Sequence, residues 1–203
     1  MKVALLGATG NVGTRLISEL MSRGHQVTAI ARHPEKLTKH VGVTVTAEDV
    51  TNENAMAEAI SGHDAVIHSV NFVNTDAEKV ISATKKGNVA RLLVVGGAGS
   101  LEVAPGLLLV NAPNFPAEYK SEALAGAAFL NTLRKEKKLD WTFLSPSAFF
   151  APGQRTGKFR LGKDQLLAAA DGQSHISMED FAIAMVDELE NPKHLRERFT
   201  VGY

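Results

Sequence analysis

Gly7, Gly10 and Gly13 stand at three-residue spacing in the segment Gly7-Ala8-Thr9-Gly10-Asn11-Val12-Gly13. Glycines spaced this way bind phosphate when they leave a buried strand and open a helix. In that setting Gly7 permits the tight turn. Gly10 lets a pyrophosphate approach the backbone with no Cβ in the way, and Gly13 lets the helix pack close to the strand. The helix start, over Asn11, Val12 and Gly13, supplies free N–H groups and a positive dipole end. Thr9 and Asn11 add side-chain donors. No Gly-Lys-Ser/Thr follows, so this is not a Walker-type loop. A bound dinucleotide is what the pattern predicts; the plain alternative is a glycine-rich turn in a nucleotide-free α/β protein.

The flanking residues supply the required context. Lys2–Leu6 is an apolar run, as in a strand buried on both faces of a parallel sheet. Val12, Leu16, Ile17, Leu20 and Met21 recur at helical spacing over Asn11–Arg23, and Gly24 ends that helix. Strands are predicted over Gln26–Ile30, Val41–Thr46, Asp64–Ser69, Val89–Val95 and Trp141–Leu144. Helices are predicted over Asn52–Ile60, Asp76–Lys86 and Pro116–Lys138. Strands alternating with helices in this way imply an α/β fold, a doubly wound parallel sheet with helices on both faces and right-handed crossovers. From Pro146 to Tyr203 the spacing is less regular. A short strand is expected near His175–Ser177, a helix over Met178–Glu190 and a terminal strand over Arg198–Val201. This stretch reads as a small substrate-side cap within one domain spanning 1–203.

The second strand ends in Ala31-Arg32. NAD sites place a carboxylate here for the ribose 2′-OH. Arg32, with His33 beside it and Lys36 four residues on, instead suits a 2′-phosphate, so NADP(H) is favoured over NAD(H). A solvated Arg–Lys pair is one competing reading, and an Arg32 that stacks on the adenine while tolerating NAD(H) is another. Asp49 and Val50, after the third strand, can hold the adenine edge, although Asp49, Thr51 or Asn52 can equally cap the next helix. Ser69, Val70, Asn71 and Phe72 end the fourth strand at the sheet's carboxyl edge, where ligands of such folds lie. Val70 is expected to offer backbone contacts and Asn71 a side-chain contact.

The 203 residues carry 22 Lys+Arg against 22 Asp+Glu and no cysteine. A balanced charge argues against nucleic-acid or membrane-surface binding, which needs a basic excess. Without cysteine there are no disulfides, thiolate metal sites or cysteine nucleophiles, and the histidines lack the helical pairing of a metal site. Gly7 interrupts the opening apolar run too early for a signal peptide, and no run is long enough to span a membrane. A soluble cytoplasmic protein is expected.

Four stretches carry a family resemblance: GATGNVGTRL from Gly7, GHQVTAIARHPEKL from Gly24, DWTFLSPSAFFAPGQRTGKFRLG from Asp140, and ISMEDFAIAMVDELENPKHLRERFTVGY from Ile176. Together they resemble the atypical short-chain dehydrogenases of the NADH-flavin reductase-like, NAD(P)H-binding type, close to the NmrA-like and biliverdin/flavin-reductase-like groups. The resemblance covers essentially the whole chain. It implies a Rossmann fold, a bound nicotinamide dinucleotide and reduction of flavins or related acceptors. It also implies that Pro146, Ser147 and Ala148 run beside the nicotinamide, with Gly97 on the cofactor side, and that Lys120 lies near the nicotinamide ribose. A solvated lysine at a helix start is the other reading of Lys120.

The chain departs from typical short-chain dehydrogenases in its acid. Those enzymes use a Tyr with a Lys four residues later; Tyr119 is followed at that distance by Ala123, and Tyr203 is the last residue. After the fifth strand, Ser100 is the only nearby hydroxyl. Lys120 and Ser100 are therefore the candidate catalytic residues. Flavin and quinone acceptors take a hydride at an electron-poor ring atom, and solvent can supply the proton. Catalysis then reduces to holding two flat rings together. Phe72, Phe149 and Phe150 are candidates for the acceptor wall, Phe149 and Phe150 being equally readable as a core pair. Arg155, between Gly153 and Gly157, reads either as part of a mobile lid over an anionic substrate or as solvated. His68 reads as a core residue, and His175 as a possible pocket residue. Three functions compete: a flavin- or quinone-type reductase, which is favoured; a non-catalytic NADP(H) sensor of NmrA type acting through a protein partner; and a nucleotide-sugar epimerase or dehydratase, disfavoured by the missing Tyr/Lys pair.

Overall fold

The computed structural model of the protein describes residues 1–33, 35, 37, 42–49 and 51–203. Its elements are, in chain order, β1 (Lys2–Leu6), α1 (Asn11–Ser22), β2 (Gln26–Ala31), β3 (Val43–Ala47), α2 (Glu53–Ile60), β4 (Ala65–His68), α3 (Ala77–Lys86), β5 (Arg91–Val95), β6 (Glu102–Ala104), β7 (Leu107–Leu108), α4 (Lys120–Leu133), β8 (Asp140–Pro146), β9 (Phe149–Ala151), β10 (Arg160–Gly162), β11 (His175–Ser177), α5 (Met178–Glu190) and β12 (Glu197–Gly202).

Alternating side chains explain the layering. On one face of the sheet Ala4, Leu6, Val66, Leu92, Trp141 and Phe143 pack with residues of α2, α3 and α4. On the other face Val3, Leu5, Ala65, Ile67, Leu93, Phe199 and Val201 pack with α1 and α5. Both faces are covered, so the inner strands read as continuous apolar runs. The sheet order is β3-β2-β1-β4-β5-β8-β12-β10. Every pairing in it is parallel except that of β10 with β12. The order reverses direction at β1, with β2 on one side and β4 on the other, and the ligand crevice of such sheets lies at that switch point. No helix among the described residues is long and apolar enough to cross a membrane.

Three elements differ from expectation. The helix predicted over Pro116–Lys138 is shorter: a 3₁₀ turn over Ala117–Tyr119 precedes α4, which stops at Leu133. The stop is made by Glu136, whose carboxylate accepts the N–H groups of Lys138 (2.6 Å) and Leu139 (3.2 Å) and pairs with Lys85 at 2.9 Å. Lys85 and the turn's N–H groups hold that carboxyl down at about 2. Between β5 and α4 lies a hairpin, β6–β7, turning at Gly106 with φ +74°. In the 146–203 stretch, β12 and β10 extend the main sheet and α5 packs on α1, while β9 and β11 form a separate parallel pair beside it. Val41 of the predicted third strand lies outside the described residues.

His68, at the end of β4, is wholly buried against Phe72 and Phe129, with ring centroids 6.1 and 5.2 Å away. Neither ring nitrogen has a hydrogen-bond partner among the described residues. Burial therefore holds the imidazole neutral and lowers its pKa from 6.5 to about 4. Below pH 6.5 the unfolded chain takes up the proton first, so the folded state loses stability as pH falls toward 4. Linkage puts the loss between pH 7 and 5 at about 2 kcal/mol. Urea unfolding at the two pH values checks this: the midpoint falls on acidification, and the fall is smaller in His68→Leu.

Candidate functional site

The phosphate loop is set by close backbone approach. Gly7, with φ +77°, donates its N–H to Ile30 O at 3.1 Å and lies against the end of β4. A Cβ on Gly7 would stand 2.2 Å from Ser69 O, and one on Gly13 would stand 2.4 Å from Gly7 O. The protein itself thus demands glycine at these two positions. Gly10 differs: its Cβ would meet only Gly7 O, at 3.3 Å. That contact is tight but less severe than those at Gly7 and Gly13. Gly10 caps α1 without a side-chain bond, and the first helical N–H contact runs from Thr14 to Gly10 O. The N–H groups of Asn11, Val12 and Gly13 have no protein partner among the described residues, which leaves the donors and dipole end that a pyrophosphate requires.

Gly7, Thr9, Gly10, Arg32, Ser69, Val70 and Asn71 line one cleft of about 250 Å³. His33 and Glu48 line it too. Glu48 was not singled out from sequence, although it directly precedes Asp49. Asp49 is exposed, and its carboxylate accepts the Thr51 N–H at 2.9 Å. That bond holds its carboxyl below the usual range, with Arg32 adding to the effect. The helix cap is Asn52, which accepts from Ala55 N–H. Lys36 and Val50 lie outside the described residues.

At Asn71–Phe72 the chain passes from this cleft into a second cavity of about 780 Å³. Phe72, Gly97, Ser100, Pro146, Ser147, Ala148, Phe149 and Phe150 all line it. The two spaces lie side by side along the carboxyl edge of the sheet. Small residues on α4 open the room: a Cβ on Gly126 would meet the Phe72 ring at 2.9 Å. Glu122, missed from sequence, reaches back from α4 to accept the N–H groups of Phe72 (2.6 Å) and Val73 (3.0 Å). It fixes the loop that joins cleft to cavity.

The aromatic candidates divide. Phe149 is 69% exposed. Phe150, its neighbour on β9, turns inward to within 4.8 Å of Phe181. Alternation along a strand separates them, so one is a surface wall and the other is a core residue with an edge on the cavity. Phe72 is buried among Phe129, Phe143 and His68 and serves as fixed floor.

Ser100 is almost buried, and the Arg198 guanidinium lies behind it, 3.4 Å from Ser100 Oγ and from Ser145 Oγ. Burial lowers the Arg198 pKa, and Asp164, at 2.9 Å from Nε, works in the opposite direction. Arg198 lies 98 residues from Ser100 in the chain, and no sequence signal joins them.

The remaining candidates have the following surroundings. Lys120 is exposed at the start of α4 and does not line the cavity, because its neighbours Tyr119 and Ala123 occupy the inward positions. The Ser147 hydroxyl donates to Val201 O (3.1 Å) and the Ala148 N–H to Ser174 Oγ (3.0 Å), so both are already engaged. The Arg155 side chain is 57% exposed, as the solvated reading has it, and is tied in place by an ion pair. Its guanidinium makes two bonds, of 2.9 and 3.0 Å, to Glu19 on α1. Burial pushes the Glu19 carboxyl up, and Arg155 and Arg23 outweigh it, leaving the group below its usual range. Asp180 likewise ties down the same loop, accepting from Thr156, Gly157 and the Tyr203 hydroxyl. His175 packs on Tyr203, with ring centroids 4.9 Å apart, instead of lining the cavity.

A switch-point cleft with a free helix start, beside a larger cavity, defines a dinucleotide-binding Rossmann protein. The family model for NAD(P)H-binding proteins matches residues 7–192, and the chain belongs to this family, an atypical short-chain dehydrogenase-like group. It is 42% identical to YwnB of Bacillus subtilis (strain 168) over 211 residues, spanning 99% of this chain and 98% of that protein. A solved structure from Bacteroides thetaiotaomicron, provisionally named an epimerase, is 46% identical with TM-score 0.95, covering 100% of this chain and 96% of that one. One from Streptococcus pneumoniae TIGR4, provisionally named an NADH-flavin reductase, is 33% identical with TM-score 0.84, covering 100% and 99%.

Gly7→Ala tests the cradle. A side chain at φ +77° against Ser69 O forces the loop away from β4, at a cost of at least ~1–2 kcal/mol from the backbone conformation alone. Thermal unfolding should move to lower temperature, and NAD(P)H affinity, read by nicotinamide fluorescence, should fall at least about tenfold.

Proposed function

We propose that the protein is an NADP(H)-dependent reductase that passes a hydride to a flavin- or quinone-like acceptor. The observation that carries this reading is the roomy cavity adjoining the dinucleotide cleft at the sheet's carboxyl edge, walled by Phe72, Phe115, Phe149 and Phe150. Its volume of about 780 Å³ falls in the range of about 300–1,000 Å³ for small-molecule sites. A bound reduced nicotinamide supplies the hydride.

The chain's own residues orient the partners. The α1 start and the Gly7–Gly10 turn hold the phosphates, and Arg32 receives the 2′-phosphate. Pro146 and Ala148 offer surface beside the nicotinamide, while Phe149 offers a face to the acceptor. Ser100, backed by Arg198, is the hydroxyl placed to donate to the acceptor. Arg198 Nη1 donates to the Ser100 hydroxyl oxygen at 3.4 Å, so the hydroxyl's own proton is directed elsewhere. Two electrons leave with the hydride, and solvent supplies the proton to the reduced acceptor. The epimerase name of the Bacteroides relative finds less support. Among the described residues, the only carboxylate lining the cavity, Glu122, is engaged by two backbone N–H groups, and no histidine or lysine lines it.

Turnover is checked by NADPH absorbance with purified protein and riboflavin or a simple quinone. Oxidation well above the free-acceptor background supports the reading. Tight NADPH binding without turnover on any acceptor contradicts it and favours the sensor. Arg32→Asp checks the cofactor preference. Loss of a charge-assisted contact is worth about 2 kcal/mol, so NADPH affinity should fall roughly thirtyfold with little change for NADH. Equal losses would remove the 2′-phosphate role.

A further inference from the structure

Charge is distributed unequally between the two adjoining spaces. Among the described residues the cleft is lined by Arg32 and His33 together with the Glu48 carboxylate. Among the described residues the cavity is lined by no lysine, arginine or histidine, and the one charged side chain lining it is the Glu122 carboxylate. The nearest candidates for a cation are both disqualified. Lys120 faces solvent outside the cavity. Arg198 is buried behind Ser100 and held by Asp164 through Nε (2.9 Å) and Nη2. Leu109, Phe115 and Phe149 supply apolar wall instead.

An anion entering such a space gives up water and gains no counter-charge. A phosphate monoester carries about −1.5 to −2 charge at neutral pH, and here it would also approach a carboxylate. Resting on the reductase reading, we propose that the acceptor site takes uncharged flat conjugated molecules and discriminates against those bearing a phosphate. Cationic recognition is confined to the dinucleotide end. Within flavins, the favoured acceptor is therefore riboflavin-like, without the 5′-phosphate of FMN.

Riboflavin and FMN present the same ring and differ in that phosphate. Each is titrated into the full chain loaded with NADP⁺, with flavin fluorescence quenching as the readout, and NADPH oxidation is followed in parallel. Riboflavin should bind at least about tenfold tighter than FMN, with the gap narrowing as salt screens the repulsion. Gln173→Lys and Asn114→Lys, at exposed cavity-lining positions, should each raise FMN affinity relative to riboflavin several-fold. Equal or tighter binding of FMN overturns the proposal, as does failure of both flavins to bind. Selective riboflavin binding without its reduction leaves the proposal standing and overturns the reductase reading alone.

Discussion

Three backbone segments meet at the front of the sheet closer than side chains would allow. The exit of β1, the end of β4 and the first turn of α1 converge on Gly7 and Gly13, where an added Cβ would stand 2.2 and 2.4 Å from a carbonyl oxygen. This contact fixes where α1 starts, and hence where its first N–H groups point. It also fixes the path of Ser69–Phe72, the strip of chain shared by the cleft and the cavity. The rest of the site is arranged around that strip: Glu122 clamps its far end to α4, and buried His68 and the Phe129 and Phe143 rings support Phe72 from below.

In the proposed reading the two spaces divide the work by polarity. Donors, a helix dipole and Arg32 sit at the cleft, where phosphates are expected. The cavity is largely apolar, and its polar groups are mostly engaged: Ser147 with Val201, Glu122 with two N–H groups, Ser100 with the arginine behind it. Groups committed in this way hold their positions without rearranging. Such a site is suited to aligning rings and excluding water, an orientation effect, rather than to shuttling protons through a tuned acid–base pair.

What could be read from sequence was what local backbone demand imposes. The glycine spacing, the apolar inner strands and the Arg32 position follow from residues within a few positions of one another. Features missed or misread depend on distant partners. Arg155 lies between glycines and reads as loose, yet its partner Glu19 is 136 residues away. Glu122 is missed because its role depends on a loop 50 residues earlier. The early end of α4 comes from Glu136 folding onto the N–H groups that follow it, a turn that helical periodicity does not reveal. Phe149 and Phe150 are indistinguishable by type, and only the register of β9 separates them.

The central claim is that one continuous path along the carboxyl edge of the sheet holds a dinucleotide in the cleft and its acceptor in the cavity. A crystal structure of the protein with NADP⁺ and riboflavin tests it most directly. The account predicts the pyrophosphate at the α1 start, the adenosine ribose beside Arg32, and the nicotinamide near Pro146 facing a flavin ring in the cavity. A cofactor whose nicotinamide lies outside the cavity, or a flavin bound elsewhere, would contradict it.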